Sequence, residues 1–587
     1  MRSTNPRMMR ENRANTAPAA LMPPPAPQIR LTKSNARLRV IPLGGLEEVG
    51  RNTTVIECDG EIVVVDIGFM FPSVDMPGVD YVLADTAYLE QNKDRIKGIV
   101  ITHGHMDHTG ALPYVIKKLG NPPVYGTKLT VAMIRERLEE FKMDKSVRLN
   151  EVHPDDTLQL GAFRITFFRV NHNIPDAVGV ALHTPAGTVV CTGDWKFDHS
   201  PQDGMHTEFG KIAKLGSEGV LLLCSDSTNA EKAGYCLSER DLEENITALF
   251  AKTEGRIIVA TFSSLVNRIQ QVFNAAHFFN RKVAISGMSM EKTITLAAKL
   301  GFIKVPKGCL IKMDQLRQYP DSRVVVICTG SQGQGSSALG RMAAGEHRHI
   351  KIQPTDMVLL SSSPIPGNER AVADLMNSLL RLGARVIYNK LFDIHASGHG
   401  QREELKMMLQ LVRPKFFMPY HGERHMLVQH SEIATQMGMP KQDVFVLGNG
   451  NILEFNKSQD ARVSPDKIET ENILVDGLGV GDIGNVVLRD RQVLAQDGMM
   501  VIICTLDRAG KLVQPPDIIS RGFIYVKSSE TIVAAARVMV QHIVNDYDIK
   551  EVGNWAPLRA RLRDEIGVLL FQKTERRPMV LPVVIEV

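Results

Sequence analysis

Tryptophan occurs twice and cysteine seven times in the 587 residues. No pair of cysteines has C-x-x-C spacing, so neither a thiolate zinc module nor a disulfide framework is encoded. Cys58, Cys191, Cys224, Cys328 and Cys504 sit in or beside apolar runs and read as buried, reduced thiols, which points to the cytoplasm. No apolar run approaches the roughly 18 residues that span a bilayer, so no membrane segment is expected. The first residues are Met-Arg-rich and then Pro/Ala-rich, without the apolar stretch of a secretory signal. A surplus of one charge is also missing from most of the chain. The net charge is +4, but residues 1–39 carry eight Arg/Lys against one Glu, which leaves −3 for the remainder. Overall basicity therefore does not mark the body as a nucleic-acid binder. The basic tail either touches polyanions or is a solvated extension.

What remains is ordinary globular composition, 44% hydrophobic and 23% charged, in a chain long enough for two to four domains. Residues 1–36, with prolines at 23, 24, 25 and 27, predict a disordered tail. Strands are expected at Leu38–Leu43, Glu61–Asp66, Ile99–Thr102, Arg164–Phe168, Gly179–His183 and Thr188–Thr192, with a helix at Leu112–Lys118. So many strands with so few helices suggest sheets packed on each other. Beyond residue 235 the rhythm changes. Strands at Arg256–Thr261, Lys282–Ser286, Arg323–Thr329 and Asp356–Ser361 alternate with helices such as Glu239–Lys252 and Val266–Phe279, the pattern of a parallel α/β sheet. Residues 457–467 read as a linker containing Pro465. A last small domain follows, with strands at Val486–Leu488, Met499–Thr505 and Gly522–Val526 and helices at Glu530–Tyr547 and Trp555–Phe571. The apolar end Met579–Val587 suits either packing against a neighbouring subunit or an edge strand within the chain.

The four α/β strands end in small hydroxyl or glycine residues: Thr261-Phe262-Ser263-Ser264, Ser286-Gly287-Met288-Ser289, Thr329-Gly330-Ser331-Gln332-Gly333 and Ser361-Ser362-Ser363. Such ends are either plain turn chemistry or a phosphate-gripping surface, because ligands of open α/β sheets bind beyond the carboxyl ends of strands.

The densest chemistry is His103-Gly104-His105-Met106-Asp107-His108, directly after an apolar strand. A turn there points His103 and His105 to one side and Asp107 and His108 to the other. Imidazole and carboxylate are zinc ligands, and two groups so close invite two metals. Further ligands have to come from elsewhere. His172, Asp194 and His421 each follow an apolar strand-like run.

That order, H-x-H-x-D-H, then His, Asp and His, is similar to the metallo-β-lactamase superfamily. The long α/β insertion between Asp194 and His421 resembles its β-CASP nucleases. The resemblance is closest to the ribonuclease J family, and it is carried by several motifs. They are Leu43-Gly44-Gly45 with Glu48-Val49-Gly50-Arg51-Asn52, then Asp66-Ile67-Gly68, Ser225-Asp226-Ser227-Thr228-Asn229, His395-Ala396-Ser397-Gly398-His399, Pro419-Tyr420-His421-Gly422-Glu423 and Arg521-Gly522-Phe523. The match runs from about residue 38 to 587.

The resemblance implies a metallo-β-lactamase αββα sandwich in two parts (37–234 and 373–457), an inserted parallel α/β β-CASP domain (235–372), a linker (458–475) and a small α+β C-terminal domain (476–587). It implies two Zn2+, with Mn2+ or Mg2+ as substitutes. His103, His105 and His172 would hold one ion, Asp107, His108 and His421 the other, and Asp194 would bridge. Asp66 would support the site, Asp226 would orient histidines, and Ser397 and His399 would grip the phosphate, with His399 assisting proton transfer. Ser263 and Ser264 are further candidates for gripping RNA. His395 is a weaker candidate for a supporting role, and His347, His349, His425 and His430 read as surface or helix histidines. The implied activity is hydrolysis of single-stranded RNA, 5′→3′ from 5′-monophosphate ends and also internally, in RNA maturation and mRNA decay. The implied assembly is a homodimer or homotetramer, with an RNA helicase or the ribosome as partner. A DNA nuclease or RNA-processing endonuclease of another β-CASP branch, a small-molecule metallo-hydrolase and a catalytically dead RNA-binding scaffold are the alternatives.

Overall fold

Side-chain alternation along the first strands decides the layering. Leu38, Val40, Ile56, Val63 and Val65 project to one side of a sheet and Ile41, Val55, Ile62 and Val64 to the other, and all are buried. The computed structural model describes residues 37–73, 75–365, 367–389, 391–477, 479–524, 529–547 and 554–587. The expected tail, residues 1–36, lies outside them.

The first sheet has eight strands in the order Ala461–Lys467, Asn451–Phe455, Leu38–Gly44, Thr53–Cys58, Glu61–Val65, Ile96–Val100, Val124–Gly126 and Leu149–Glu151. The second has six: Phe416–Tyr420, Leu222–Asp226, Gly187–Cys191, Val178–Thr184, Phe163–Arg169 and Thr157–Leu160. Their inner faces form one core, in which Val40, Ile56 and Val63 meet Phe163, Val180 and Met418. Helices cover both outer faces. Lys128–Glu140 contributes Ile134 and Leu138 on one side, and Arg402–Val412 contributes Leu405 and Met408 on the other. This is the αββα sandwich.

The inserted sheet is wholly parallel, in the order Leu310–Ile311, Lys282–Ser286, Val324–Cys328, Ile257–Ala260, Met357–Leu360 and Arg385–Tyr388. Apolar clusters cover both faces, as a doubly wound sheet requires. At the C-terminus, Met499–Leu506 lies between Asp517–Arg521 and Met579–Glu586, and the helices Glu530–Asn545 and Ala556–Thr574 pack on one face.

Three local expectations change, and one of the two readings of the C-terminal end is observed. The segment read as a linker holds the strand Ala461–Lys467, antiparallel to Asn451–Phe455 at the sheet edge, and Ile473–Asp476 pairs with Tyr81–Leu83. The register shifts between Asn451 and Leu453, opposite the stretch containing Pro465, and such an edge irregularity tolerates a residue without an N–H. Val486–Leu488 is not a strand but the start of a helix, Asn485–Gln496. Leu488 packs beside Val79, Val82, Leu474 and Ile483, and Arg491 pairs with Asp476 at 2.6 Å. The last domain's antiparallel strand is Asp517–Arg521, so Gly522–Ile524 follow it, and Tyr525 and Val526 lie outside the described residues. The end Met579–Glu586 is an edge strand, parallel to Met499–Leu506.

Candidate metal centre

The strand expected to run into His103 stops at Val100. The cause is Asp66, in the left-handed region at φ 60°, whose Oδ1 accepts the N–H of Thr102 at 2.8 Å. That bond turns the backbone out of the ladder and opens the His103–His108 loop above the sheet ends. Gly68 lets this loop come close, because a Cβ there would overlap the carbonyl of Asp107. The remaining side chains arrive from the second sheet. His172 follows Phe163–Arg169, Asp194 follows Gly187–Cys191, Asp226 ends Leu222–Asp226, and His421 follows Phe416–Tyr420. His421 itself has φ 50°.

Three imidazole nitrogens converge. His105 Nδ1 lies 3.1 Å from His103 Nε2 and 3.2 Å from His172 Nε2. Asp194 Oδ2 lies 3.7 Å from both His103 Nε2 and His172 Nε2. Beside this group stands a second. His108 Nε2 is 3.5 Å from Asp107 Oδ2 and 3.3 Å from Asp194 Oδ1, and His421 Nε2 is 3.5 Å and 3.6 Å from the same two oxygens. Bonds of about 2.0–2.1 Å to a tetrahedral ion put neighbouring ligand atoms about 3.3 Å apart. Both groups have that spacing, and Asp194 turns one oxygen to each.

The donor set fits metal ions on other grounds as well. Among the described residues, Asp194 Oδ1 is buried without a hydrogen-bond partner. Each remaining ring nitrogen is already engaged outside the cluster, which fixes the nitrogen left for an ion. His172 Nδ1 faces the Gly398 carbonyl at 2.6 Å, His108 Nδ1 faces Asp66 Oδ2 at 2.8 Å, and His421 Nδ1 faces Thr228 Oγ1 at 2.9 Å. His103 Nδ1 lies 3.1 Å from Thr102 Oγ1. The exception is His105, whose Nε2 is buried and has no partner among the described residues.

Electrostatics separate the two groups. Burial holds His103 and His172 well below the ordinary imidazole value and His105 at about 4, so these three are neutral. Burial also opposes charge on His108 and His421, but carboxylates outweigh it. Asp194, Asp66 and Asp107 raise His108, and Asp194 with Asp107 and Asp226 pushes His421 up to about 10. In the absence of a cation the carboxylates are thus balanced by imidazolium protons, which binding an ion has to displace.

His399 completes the wall. Its Nδ1 lies 2.7 Å from Asp226 Oδ2, and Asp226 overcomes burial to raise its pKa. Gly398 sits so tightly that a Cβ would strike the His172 ring. Together, His103, His105, His172 and Asp194 form one potential metal-holding group and Asp107, His108, Asp194 and His421 another.

Comparison with known proteins agrees with this geometry. Residues 46–206 match the metallo-beta-lactamase superfamily, 254–379 the ribonuclease J beta-CASP domain, 383–447 the Zn-dependent metallo-hydrolase RNA specificity domain, and 486–587 the ribonuclease J C-terminal domain. Ribonuclease J2 of Bacillus subtilis (strain 168) is 42% identical over 94% of this chain and 100% of its own. The chain belongs to the ribonuclease J family. Ribonuclease J 2 of Staphylococcus epidermidis (strain ATCC 12228 / FDA PCI 1200) and of Staphylococcus aureus (strain NCTC 8325 / PS 47) are each 40% identical over 95% of this chain and 100% of theirs. A crystal structure of a protein of unknown function from Enterococcus faecalis V583 shares the fold, with a TM-score of 0.52 at 14% identity over 71% of this chain and 100% of that one.

Within this ribonuclease J fold, the remaining candidates are dispersed. Ser263 and Ser264 are half-buried beyond Ile257–Ala260, and among the described residues neither bonds to the histidine–aspartate cluster. Ser361 is buried and its Oγ donates to the Ile394 carbonyl at 2.6 Å, while Ser362 accepts from Gln332. Those two hydroxyls are spent on joining loops, which favours the turn-chemistry reading for them. His395 lies outside the cluster. Burial, reinforced by Arg268, lowers its pKa to about 3. His347 bonds Ser286 Oγ at 2.9 Å, His425 is exposed, and His430 is a helix histidine buried against Ser227. Sequence reasoning missed Thr102, Thr228, Asn229 and Cys236, which hold the loops in place. Thr228 and Asn229 stand inside a quoted motif, whereas nothing in the local sequence distinguishes Thr102 or Cys236.

Proposed function

We propose that the chain is a zinc-dependent cytoplasmic ribonuclease that hydrolyses single-stranded RNA to 5′-phosphate products, 5′→3′ from 5′-monophosphate ends and also internally, in RNA maturation and mRNA decay. The observation that carries this reading is the placement of two ligand groups around the two oxygens of Asp194. His103, His105 and His172 would hold one ion, Asp107, His108 and His421 the other, with Asp194 between them. When bound, a pair of such ions supplies Lewis acidity and a nucleophile from water at neutral pH.

The chain's own residues do the rest. His172, His108 and His421 are locked in the orientation a ligand needs by Gly398, Asp66 and Thr228. His399, raised by Asp226, keeps a proton available at Nε2 for a phosphate oxygen or the leaving oxygen. Ser397 contacts the phosphate beside it. Because these contacts reach sugar-phosphate rather than base edges, cleavage shows little base preference. Ser263 and Ser264, at the strand ends of the inserted domain, contact the RNA further along. The working assembly is a homodimer or homotetramer, with an RNA helicase or the ribosome as partner. No helix among the described residues is long and apolar enough to cross a membrane.

The test is incubation with single-stranded RNA bearing a labelled 5′-monophosphate, beside an Asp107→Ala, His108→Ala double mutant. Release of labelled mononucleotide by the wild type alone is the expected result. Internal fragments without mononucleotide would restrict the activity to endonuclease. No cleavage by a folded, metal-loaded protein would overturn the RNA reading.

A further inference from the structure

Asn229 lies three residues beyond Asp226, in the turn after the strand Leu222–Asp226, and its side chain is buried. Its Nδ2 donates to two oxygens of the facing loop, Ser397 Oγ at 2.8 Å and the His399 carbonyl at 2.8 Å. A carbonyl oxygen only accepts, so the end of the amide facing it is the NH2 group, and that same group donates to Ser397. The His399 N–H points to Ser397 Oγ as well, at 3.4 Å. Cys236 Sγ donates to the same His399 carbonyl at 2.9 Å and steadies it.

A serine hydroxyl has one proton and two lone pairs. Both lone pairs of Ser397 face donors, and among the described residues no acceptor takes its proton. Ser397 is only half-buried, so that proton is free to point away from the loop. A phosphodiester oxygen is purely an acceptor, and a hydroxyl wired in this way matches it. We propose that Asn229 is a positioning residue that fixes Ser397 as a hydrogen-bond donor toward an RNA phosphate. This rests on the reading that Ser397 contacts that phosphate. An aspartate at 229 would have the same shape and the opposite effect. Its carboxylate would draw the serine proton inward and repel the His399 carbonyl.

The experiment compares wild type, Asn229→Ala, Asn229→Asp, Ser397→Ala and the double variant Asn229→Ala/Ser397→Ala. All are full-length and zinc-loaded, and kcat and KM are measured on 5′-monophosphorylated single-stranded RNA alongside metal content. The expected result is that Ser397→Ala and Asn229→Ala each lower kcat/KM about 10- to 100-fold, the range for a hydrogen bond to a charged group. Asn229→Asp is expected to be worse than Asn229→Ala. In the Ser397→Ala background, the cost of Asn229→Ala should shrink at least about fivefold, because two residues acting through one contact are not additive. Metal content stays at the wild-type level. A merely structural Asn229 would cost as much in the Ser397→Ala background as in the wild type. Equal costs in both backgrounds, or loss of metal on substituting Asn229, would overturn the proposal and leave the role of Ser397 intact. Wild-type kinetics for Ser397→Ala would instead overturn the underlying reading of the serine.

Discussion

His399 Nδ1 and Asp226 Oδ2 stand 2.7 Å apart across 173 residues of sequence. The same carboxylate accepts from Thr228 Oγ1 at 2.8 Å and lies 3.4 Å from His421 Nδ1. Asp226 therefore orients two imidazoles at once, His421 in the second ligand group and His399 beside it. Asp226→Asn keeps the shape and removes the charge. The expected outcome is a 10- to 100-fold loss of kcat/KM, the order typical of groups that orient ligands. Steady-state kinetics on RNA check it, and unchanged kinetics would mean that neither imidazole depends on this carboxylate.

Asp66 plays the corresponding part for His108, which belongs to the same ligand group as His421. Its Oδ2 faces His108 Nδ1 at 2.8 Å, and its Oδ1 takes the Thr102 N–H that turns the loop. Replacing Asp66 with Asn weakens one of the two ion sites and spares the other, because His103, His105 and His172 do not touch it. Metal titration followed by elemental analysis should show one ion retained at wild-type affinity and one weakened about 10- to 100-fold. Equal weakening of both would show that Asp66 acts on the whole loop.

Much of this site was legible because its parts are local or follow strand ends. His103, His105, Asp107 and His108 fall within six residues, and His172, Asp194 and His421 each follow an apolar run, so spacing and context brought them forward. Nothing in the sequence states which strands pair. That Gly187–Cys191, Leu222–Asp226 and Phe416–Tyr420 lie side by side, and so bring Asp194, Asp226 and His421 together, is a long-range fact. The residues that hold the loops escaped notice for the same reason, since Thr102, Asn229 and Cys236 act through bonds to distant segments. The misread elements were either short or polar. Val486–Leu488 offered only three apolar residues, and periodicity over so short a run does not separate strand from helix. The strand Ala461–Lys467 is exposed along much of its length and keeps its shape through pairing rather than burial.

A buried ion network ties the Asp194 loop to the inserted domain. Lys196 Nζ lies 3.2 Å from both Asp198 Oδ2 and Glu239 Oε1, and Glu239 Oε2 lies 3.6 Å from the Arg268 guanidinium. All four side chains are buried. Burial disfavours the charge on Lys196, but Glu239 and Asp198 more than restore it and raise its pKa. Lys196→Met leaves Asp198 without its ammonium partner and Glu239 with Arg268 alone, and breaking such a buried network costs about 3–5 kcal/mol. Denaturant titration of the metal-loaded protein measures this. Adding Glu239→Gln should recover part of the loss, and simple addition of the two costs would show that the groups act independently.

His430 makes folding acid-sensitive. It is fully buried in the helix Arg424–Gln436, where its Nδ1 meets Ser227 Oγ at 3.0 Å and its Nε2 has no partner among the described residues. Burial outweighs the pull of Asp226 and lowers its pKa from the ordinary 6.5 to about 3. The folded state thus keeps this ring neutral where the unfolded chain would protonate it. Its contribution is complete above pH 6.5 and is lost progressively as the pH falls toward 3. At pH 5 the loss is about 2 kcal/mol, from one proton over 1.5 pH units. In His430→Gln this dependence disappears, so the stability of the wild type relative to the variant should fall by about that amount between pH 7.5 and pH 5. Comparing the two proteins at each pH cancels the other titrating groups. A gap that does not change with pH would mean that the fold accepts the proton on His430 without opening.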